Sequence, residues 1–238
     1  MNYPKKTFYL YLLAMLMAYC VIVLGAYTRL SDAGLGCPDW PGCYGKIFVP
    51  EESIDVEQAN QAFPERPLEK DKAWKEMIHR YAAGILGLII LSLAIISWSA
   101  RARGKPSPVV APTALLLLVI FQAALGMWTV TLLLKPVVVT AHLMGGMAII
   151  ALLHWQMLNV RRPLSGNETG AITPWAVLGI AVLSCQIVLG GWTSANYAAL
   201  ICTDFPTCQG QWWPQMEFKE GFKLWRGLGV DYEGGVLD

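Results

Sequence analysis

Charge is what this sequence has least of. Of its 238 residues only 15% are Asp, Glu, Lys or Arg, against about 25% in a soluble domain, while 55% are hydrophobic. So few charges would hardly keep a water-soluble fold of this size dispersed. The 18 basic residues are matched by 17 acidic ones, so the surplus of positive charge that marks nucleic-acid binding is missing as well. Histidine is rarer still, with three residues, and each needs its own account. The N-terminal apolar run shows neither a small-residue cleavage site nor an Arg- and Ser-rich leader, which favours a bacterial inner membrane over an organelle.

What is present is segregated. No charged residue occurs at 7–28, 81–100, 106–134, 136–160 or 169–203. Each stretch reaches the roughly 20 residues that a helix needs to cross a bilayer. The sequence therefore predicts an all-α, multi-pass membrane protein with about five transmembrane helices, the first four forming a bundle. Basic residues collect on the cytoplasmic side of membranes. Lys5 and Lys6 precede span one, Arg101, Arg103 and Lys105 separate spans two and three, and Arg161 and Arg162 follow span four. A cytoplasmic N-terminus puts all of them on one side and the acid-rich 29–75 loop on the periplasmic side. The stretch 49–72 carries no interpretable motif and is expected to be an external loop with some helix.

An internal repeat organises the chain. Cys20-Val-Ile-Val-Leu-Gly-Ala-Tyr-Thr28 matches Cys185-Gln-Ile-Val-Leu-Gly-Gly-Trp-Thr193 at an offset of 165, and the same offset maps Cys37, Asp39, Pro41 and Cys43 onto Cys202, Asp204, Pro206 and Cys208. A weaker copy, Gln122-Ala-Ala-Leu-Gly-Met-Trp-Thr129, lies in span three. The expected division is a four-helix half at 1–162 and the start of a second half at 163–238. By the same offset the counterparts of Glu76, His79 and His142 would fall beyond Asp238, so a C-terminally shortened chain is expected, lacking a second histidine pair.

Cys37/Cys43 and Cys202/Cys208 each enclose five residues with a proline turn, on the side read as oxidising. Two disulfides are expected. Four zinc thiolates are the rival, although zinc pairs are usually spaced more tightly. Cys20 and Cys185, inside spans, read as small apolar filler.

Ionisable groups inside a membrane are costly, so each is a functional candidate. His79 opens span two, and His142 lies seven residues past Lys135 in span four, about 10 Å inward. Spans two and four are parallel, so the two imidazoles sit at similar depth and could hold a heme iron from its two faces. His154, about 18 Å deeper than His142, cannot share that axis and reads as an interfacial residue beside Trp155. Glu76 lies three residues before His79, on the same helix face. It is a candidate proton donor or acceptor, or else a partner for Lys72 or Arg80. Arg80 and Arg29 could pair with heme propionates, or simply snorkel to headgroups.

Together these residues resemble the heme A synthase family, membrane enzymes that oxidise heme O to heme A for cytochrome oxidase. The resemblance rests on Thr28-Arg29-Leu-Ser-Asp-Ala-Gly-Leu-Gly-Cys-Pro-Asp-Trp-Pro-Gly-Cys43, Glu76-Met-Ile-His-Arg80, Thr140-Ala-His-Leu143 and Leu189-Gly-Gly-Trp-Thr193. It implies eight helices in two pseudo-symmetric halves, each with a histidine pair. It also implies heme O as substrate and heme A as product, Glu76 as the catalytic glutamate, His79 and His142 as ligands in the substrate half, and a b-type heme in the other half. A heme O-forming farnesyltransferase and an electron donor would be the partners, with membrane lipid around them. A non-enzymatic b-type cytochrome or quinone-reactive heme anchor is the alternative. It would share the histidines without needing Glu76 or the cysteine loops.

Overall fold

The computed structural model describes residues 5–161, 173–198 and 201–225. Among them the regular structure is helical: α1 (Lys5–Leu30), α2 (Ser53–Ala62), α3 (Lys70–Ala102), α4 (Val110–Thr131), α5 (Pro136–Arg161), α6 (Thr173–Ala195) and the short α7 (Phe218–Gly221). Five of these, α1 and α3 to α6, are long and apolar enough to cross a membrane. Helices follow from the apolar runs because lipid offers backbone groups no partners, and a helix satisfies them within the segment. Pro136 opens α5, where its missing N–H removes a donor that would have gone unpaired. The tight turn before it carries Leu133 and Leu134 at φ 55° and 54°. The boundary expected near 162, and Arg162 itself, lie outside the described residues.

The 29–75 segment is more helical than hydropathy suggested. α2 occupies its middle, and α3 begins at Lys70, three turns before the charge-free run. At 33 residues α3 is about 50 Å long, more than the roughly 30 Å hydrocarbon layer, so its polar first turns stand clear of the membrane. Lys75 and Asp71 pair there at 2.5 Å with i,i+4 spacing, and Lys72 pairs with Glu69 at 3.3 Å. Those charges hide the helix from a hydropathy reading while supporting it locally.

α1 packs against α3 and α5, and α4 packs against the same two helices. Among the described residues the α1 and α4 backbones do not approach each other, nor do those of α3 and α5. The four helices thus form a ring with α1/α4 and α3/α5 on its diagonals. α6 lies outside the ring against α5, where Gly191 allows close contact with Thr140 and Leu143.

Tyr11, Ala14, Ala18, Leu86, Ile90, Leu93, Leu115, Ile149 and Leu153 form a closed apolar core in the half of the ring away from the cysteine loops. A second cluster, built from Cys37, Cys43, Tyr44, Val49, Ala59, Ala73 and Met77, seats the first cysteine loop on the start of α3. The loop lies so close that a Cβ on Gly36 would stand 2.6 Å from the Lys72 carbonyl carbon, so only glycine fits there.

The two cysteine loops share one construction. Disulfides join Cys37 to Cys43 and Cys202 to Cys208, with Cα atoms 4.9 and 4.6 Å apart. The four cysteines are therefore paired with each other rather than arranged as zinc thiolates. Trp40–Pro41 and Phe205–Pro206 are both cis. Asp39 accepts hydrogen bonds from the Tyr44 and Gly45 N–H groups at 2.7 Å each, and Asp204 does the same for Gln209 and Gly210 at 2.6 and 3.0 Å. The Thr207 hydroxyl, followed by the Gly210 N–H, holds the Asp204 carboxyl below its ordinary pKa. Cys20 and Cys185 are free and exposed on the helix surface. Alkylation of the unreduced, detergent-solubilised protein followed by mass spectrometry should label Cys20 and Cys185 and leave the other four blocked. Ready labelling of Cys37 or Cys202 would contradict the pairing.

Candidate functional site

His79 on α3 and His142 on α5 stand on a diagonal of the ring, and the glycines that make room for them stand on the other. A Cβ at Gly25 of α1 would lie 2.9 Å from Cε1 of His79, and one at Gly126 of α4 would lie 3.3 Å from Cε1 of His142. The backbone of Val21 meets His79, and that of Gln122 meets His142. Val21/Gly25 and Gln122/Gly126 are the same two positions in the repeated segment, one helical turn apart and hence on one face. Each copy of the segment in the ring is therefore a cradle for an imidazole. The two rings are near enough to interact electrostatically.

Polar groups around this pair lack partners. His79 Nδ1, His142 Nδ1 and Gln122 Oε1 are all shielded from solvent without a hydrogen bond, whereas Thr140 Oγ1, also unpartnered, lies beside Gly191 of α6 outside the ring. Gln122 is anchored only through its amide, which donates to the His142 carbonyl at 2.6 Å. An unsatisfied buried polar group costs about 1–3 kcal/mol, and such groups are few in native structures. Three such groups, on α3, α4 and α5, fit a site completed by a ligand. Two buried imidazoles on one diagonal of the ring, each with an unpartnered nitrogen, are a donor set suited to heme iron.

Glu76 projects from α3 toward the first cysteine loop and is 4% exposed. Its Oε2 accepts the Cys37 N–H at 2.9 Å, and its Oε1 pairs with Arg80 one turn on. Arg80 is the clamp of this region. Its other terminal nitrogen donates to the carbonyls of Asp39 at 2.9 Å, Gly42 at 2.5 Å and, more weakly, Pro41 at 3.4 Å. Of the two partners weighed for Glu76, Arg80 takes the place, since Lys72 is turned to Glu69. In this structure the Arg80 guanidinium holds the loop rather than facing an open pocket.

Arg29, at the end of α1, reaches α6. It donates to the Tyr197 hydroxyl and the Ser194 carbonyl at 2.7 Å each, and its guanidinium lies 4.0 Å from the Tyr197 ring centroid. Arg29 and Ser194 are equivalent positions of the repeat, so the two copies touch at matching residues. His154 is exposed far from the pair, with Nδ1 3.5 Å from the Met15 sulfur. Among the described residues no group of three or more His, Cys, Asp or Glu side chains could hold a metal ion. Sequence reasoning missed Gly25, Gly126 and Gln122 as parts of the site. The signal was available in the repeat, whose copies keep glycine at one position.

Residues 8–231 match the COX15-CtaA family, described as cytochrome oxidase assembly proteins. The heme A synthase of Shewanella oneidensis is 48% identical over 92% of this chain and 66% of its own length. That of Halalkalibacterium halodurans is 28% identical over 82% of this chain and 62% of its own. The heme A synthase of the Wolbachia endosymbiont of Culex pipiens is 27% identical over 85% and 67%. The chain thus spans about two thirds of the length of these relatives. With a family match over nearly all of its residues and five helices long and apolar enough to cross a membrane, the chain belongs to the COX15-CtaA family of cytochrome oxidase assembly proteins.

Proposed function

We propose that this chain takes part in heme A biosynthesis, binding heme O between α3 and α5 and oxidising one of its methyl groups to a formyl group. The observation that carries the reading is the pair of imidazoles on one diagonal of the ring, each cradled by a glycine, with buried nitrogens and the Gln122 side-chain oxygen left without hydrogen-bond partners. Bound heme would supply the iron through which the oxidising power acts. His79 and His142 would hold the porphyrin and fix its height in the ring. Gly25 and Gly126 leave the space in which the imidazoles stand.

Glu76 is the residue placed to exchange a proton with the substrate side chain, one helical turn from His79. Both of its oxygens are engaged, by Cys37 N–H and by Arg80, so proton exchange requires one of these contacts to loosen. Arg80 and Arg29 complete the polar rim. If either meets a propionate, it does so by giving up a protein partner described above. The closed apolar core on the far side of the ring blocks access from that direction, so the substrate enters from the level of the cysteine loops or laterally from lipid. The placement of basic residues gives a cytoplasmic N-terminus and periplasmic cysteine loops in a bacterial inner membrane. A heme O-forming farnesyltransferase and an electron donor are the partners this reading calls for. The relatives' greater length leaves room for a second half with a b-type heme. The residues described here provide one bis-imidazole site.

The test is conversion. Protein reconstituted in nanodiscs with heme O, reductant and oxygen should yield heme A on extraction and chromatography. Glu76→Gln should retain the pigment and lose the product. A normal heme spectrum with no conversion by the unaltered protein, under conditions where the Shewanella oneidensis relative is active, would mean that the chain binds heme without oxidising it.

A further inference from the structure

The two cysteine loops carry an exposed apolar tip that neither the histidine pair nor the disulfides require. Immediately after the turn closed by Cys43 and Lys46 come Ile47 and Phe48, 74% and 65% exposed. Immediately after the matching turn closed by Cys208 and Gln211 come Trp212 and Trp213, 78% and 81% exposed. Trp40 and Phe205, equivalent to each other inside the loops, are exposed too. Large apolar side chains thus recur at the same three exposed positions in both copies, although their identities differ. What the copies share is apolar bulk rather than a particular shape, which fits a fluid partner better than a shaped one.

The depth of the first tip is set by α3. Arg80, the last charged residue before the charge-free run, holds the loop carbonyls of Asp39 and Gly42. Tyr81, the first residue of that run, donates its hydroxyl to the Ile47 carbonyl at 2.5 Å, and its ring lies 6.1 Å from that of Phe48. Ile47 and Phe48 therefore lie folded back against the span, at the level where its hydrocarbon-facing sequence begins. On the second loop's side the chain is held at a comparable boundary. Trp225 stacks over Lys135, the last charged residue before the apolar run of α5, with 3.5 Å from Nζ to the ring centroid. Trp192 near the end of α6 donates to the Gly221 carbonyl at 2.8 Å.

We infer that the two disulfide loops are membrane-interface anchors, with Ile47–Phe48 and Trp212–Trp213 seated among the glycerol and upper acyl groups of the phospholipid leaflet at the loop end of the bundle. Aromatic side chains favour this layer because it offers apolar contact and polar partners together. Anchoring both loops there keeps the first one down on Glu76 and Arg80 without any further protein contact.

Depth-dependent quenching tests this. The protein has ten tryptophans, so the reporter is the fluorescence lost in a Trp212→Phe/Trp213→Phe double variant. In nanodiscs of phosphatidylcholine brominated just below the glycerol, that component should lose most of its intensity, and aqueous iodide should leave it nearly unchanged. Phe48→Trp in the otherwise unaltered chain supplies the same reading for the first loop, independently of how the double variant folds. Quenching by iodide and not by brominated lipid would overturn the inference and place the tips in water. Protection from both quenchers would overturn it as well, by showing that protein covers them.

Discussion

Replacing Gly25 with alanine should strip the protein of most of its bound heme. The added Cβ would stand 2.9 Å from Cε1 of His79, closer than carbon atoms tolerate, and the backbone of Val21 already meets the same ring. The imidazole must then leave its place on the diagonal it shares with His142. Overpacking of this kind costs about 1–3 kcal/mol, which corresponds to roughly a five- to 150-fold loss of affinity. Gly126→Ala places its Cβ 3.3 Å from His142, a contact relieved by a few tenths of an ångström, so its loss should be smaller. Gly190→Ala is the control. It occupies the same motif position in α6 and meets nothing within 4 Å, and alanine is the better helix former. Heme per chain by pyridine hemochrome should rank Gly25→Ala lowest, Gly126→Ala next and Gly190→Ala level with the unaltered protein. Equal occupancy in all four would show that these glycines do not shape the site.

Arg80→Ala should be the most destabilising single change at the loop end of the bundle. Glu76 is 6% exposed at its side chain and Arg80 12%, and removing the guanidinium leaves a carboxylate almost out of water with only backbone groups of the cysteine loop for company. Breaking a buried pair from one side costs about 3–5 kcal/mol. Three loop carbonyls lose their donor at the same time. The first disulfide loop should lift, so Cys37–Cys43 should be reduced faster by a mild thiol while Cys202–Cys208 is unaffected. Arg80→Lys keeps a charge beside Glu76 but cannot fork between the carboxylate and the loop, so it should fall in between. Pairing Arg80→Ala with Glu76→Gln removes the stranded charge and should recover part of the stability, a coupling readable as a non-additive shift in thermal midpoint. Strict additivity of the two changes would mean that the pair is not the link between α3 and the loop.

Much of the architecture could be read from composition. A helix that crosses lipid must be apolar along its length, so charge-free runs mark spans without reference to their neighbours, and all five are present. Where charge returns, that signal fails. The first three turns of α3 are helical because Asp71–Lys75 and Glu69–Lys72 pairs support them, and hydropathy alone assigned them to a loop. Roles of single arginines were equally out of reach. Arg29 and Arg80 are long enough to reach propionate, headgroup or backbone, and only packing shows that they meet Tyr197, Ser194 and the loop carbonyls.

By itself the sequence determined the five charge-free runs and the duplication at an offset of 165, favoured two disulfides over a zinc site, and led to the expectation that His79 and His142 sit at similar depth. All of these depend on position along one dimension, through helix rise, repeat spacing and the cost of charge in lipid. Tertiary structure alone decided that α3 and α5 lie on a diagonal, that Gly25 and Gly126 face the two imidazoles, and that Glu76 is tied to Cys37 and Arg80. Those facts depend on how each helix is rotated about its axis and on which helices are neighbours. Nearly uniform apolar surfaces leave that rotation undetermined until small residues, close contacts and a handful of buried polar groups select one packing.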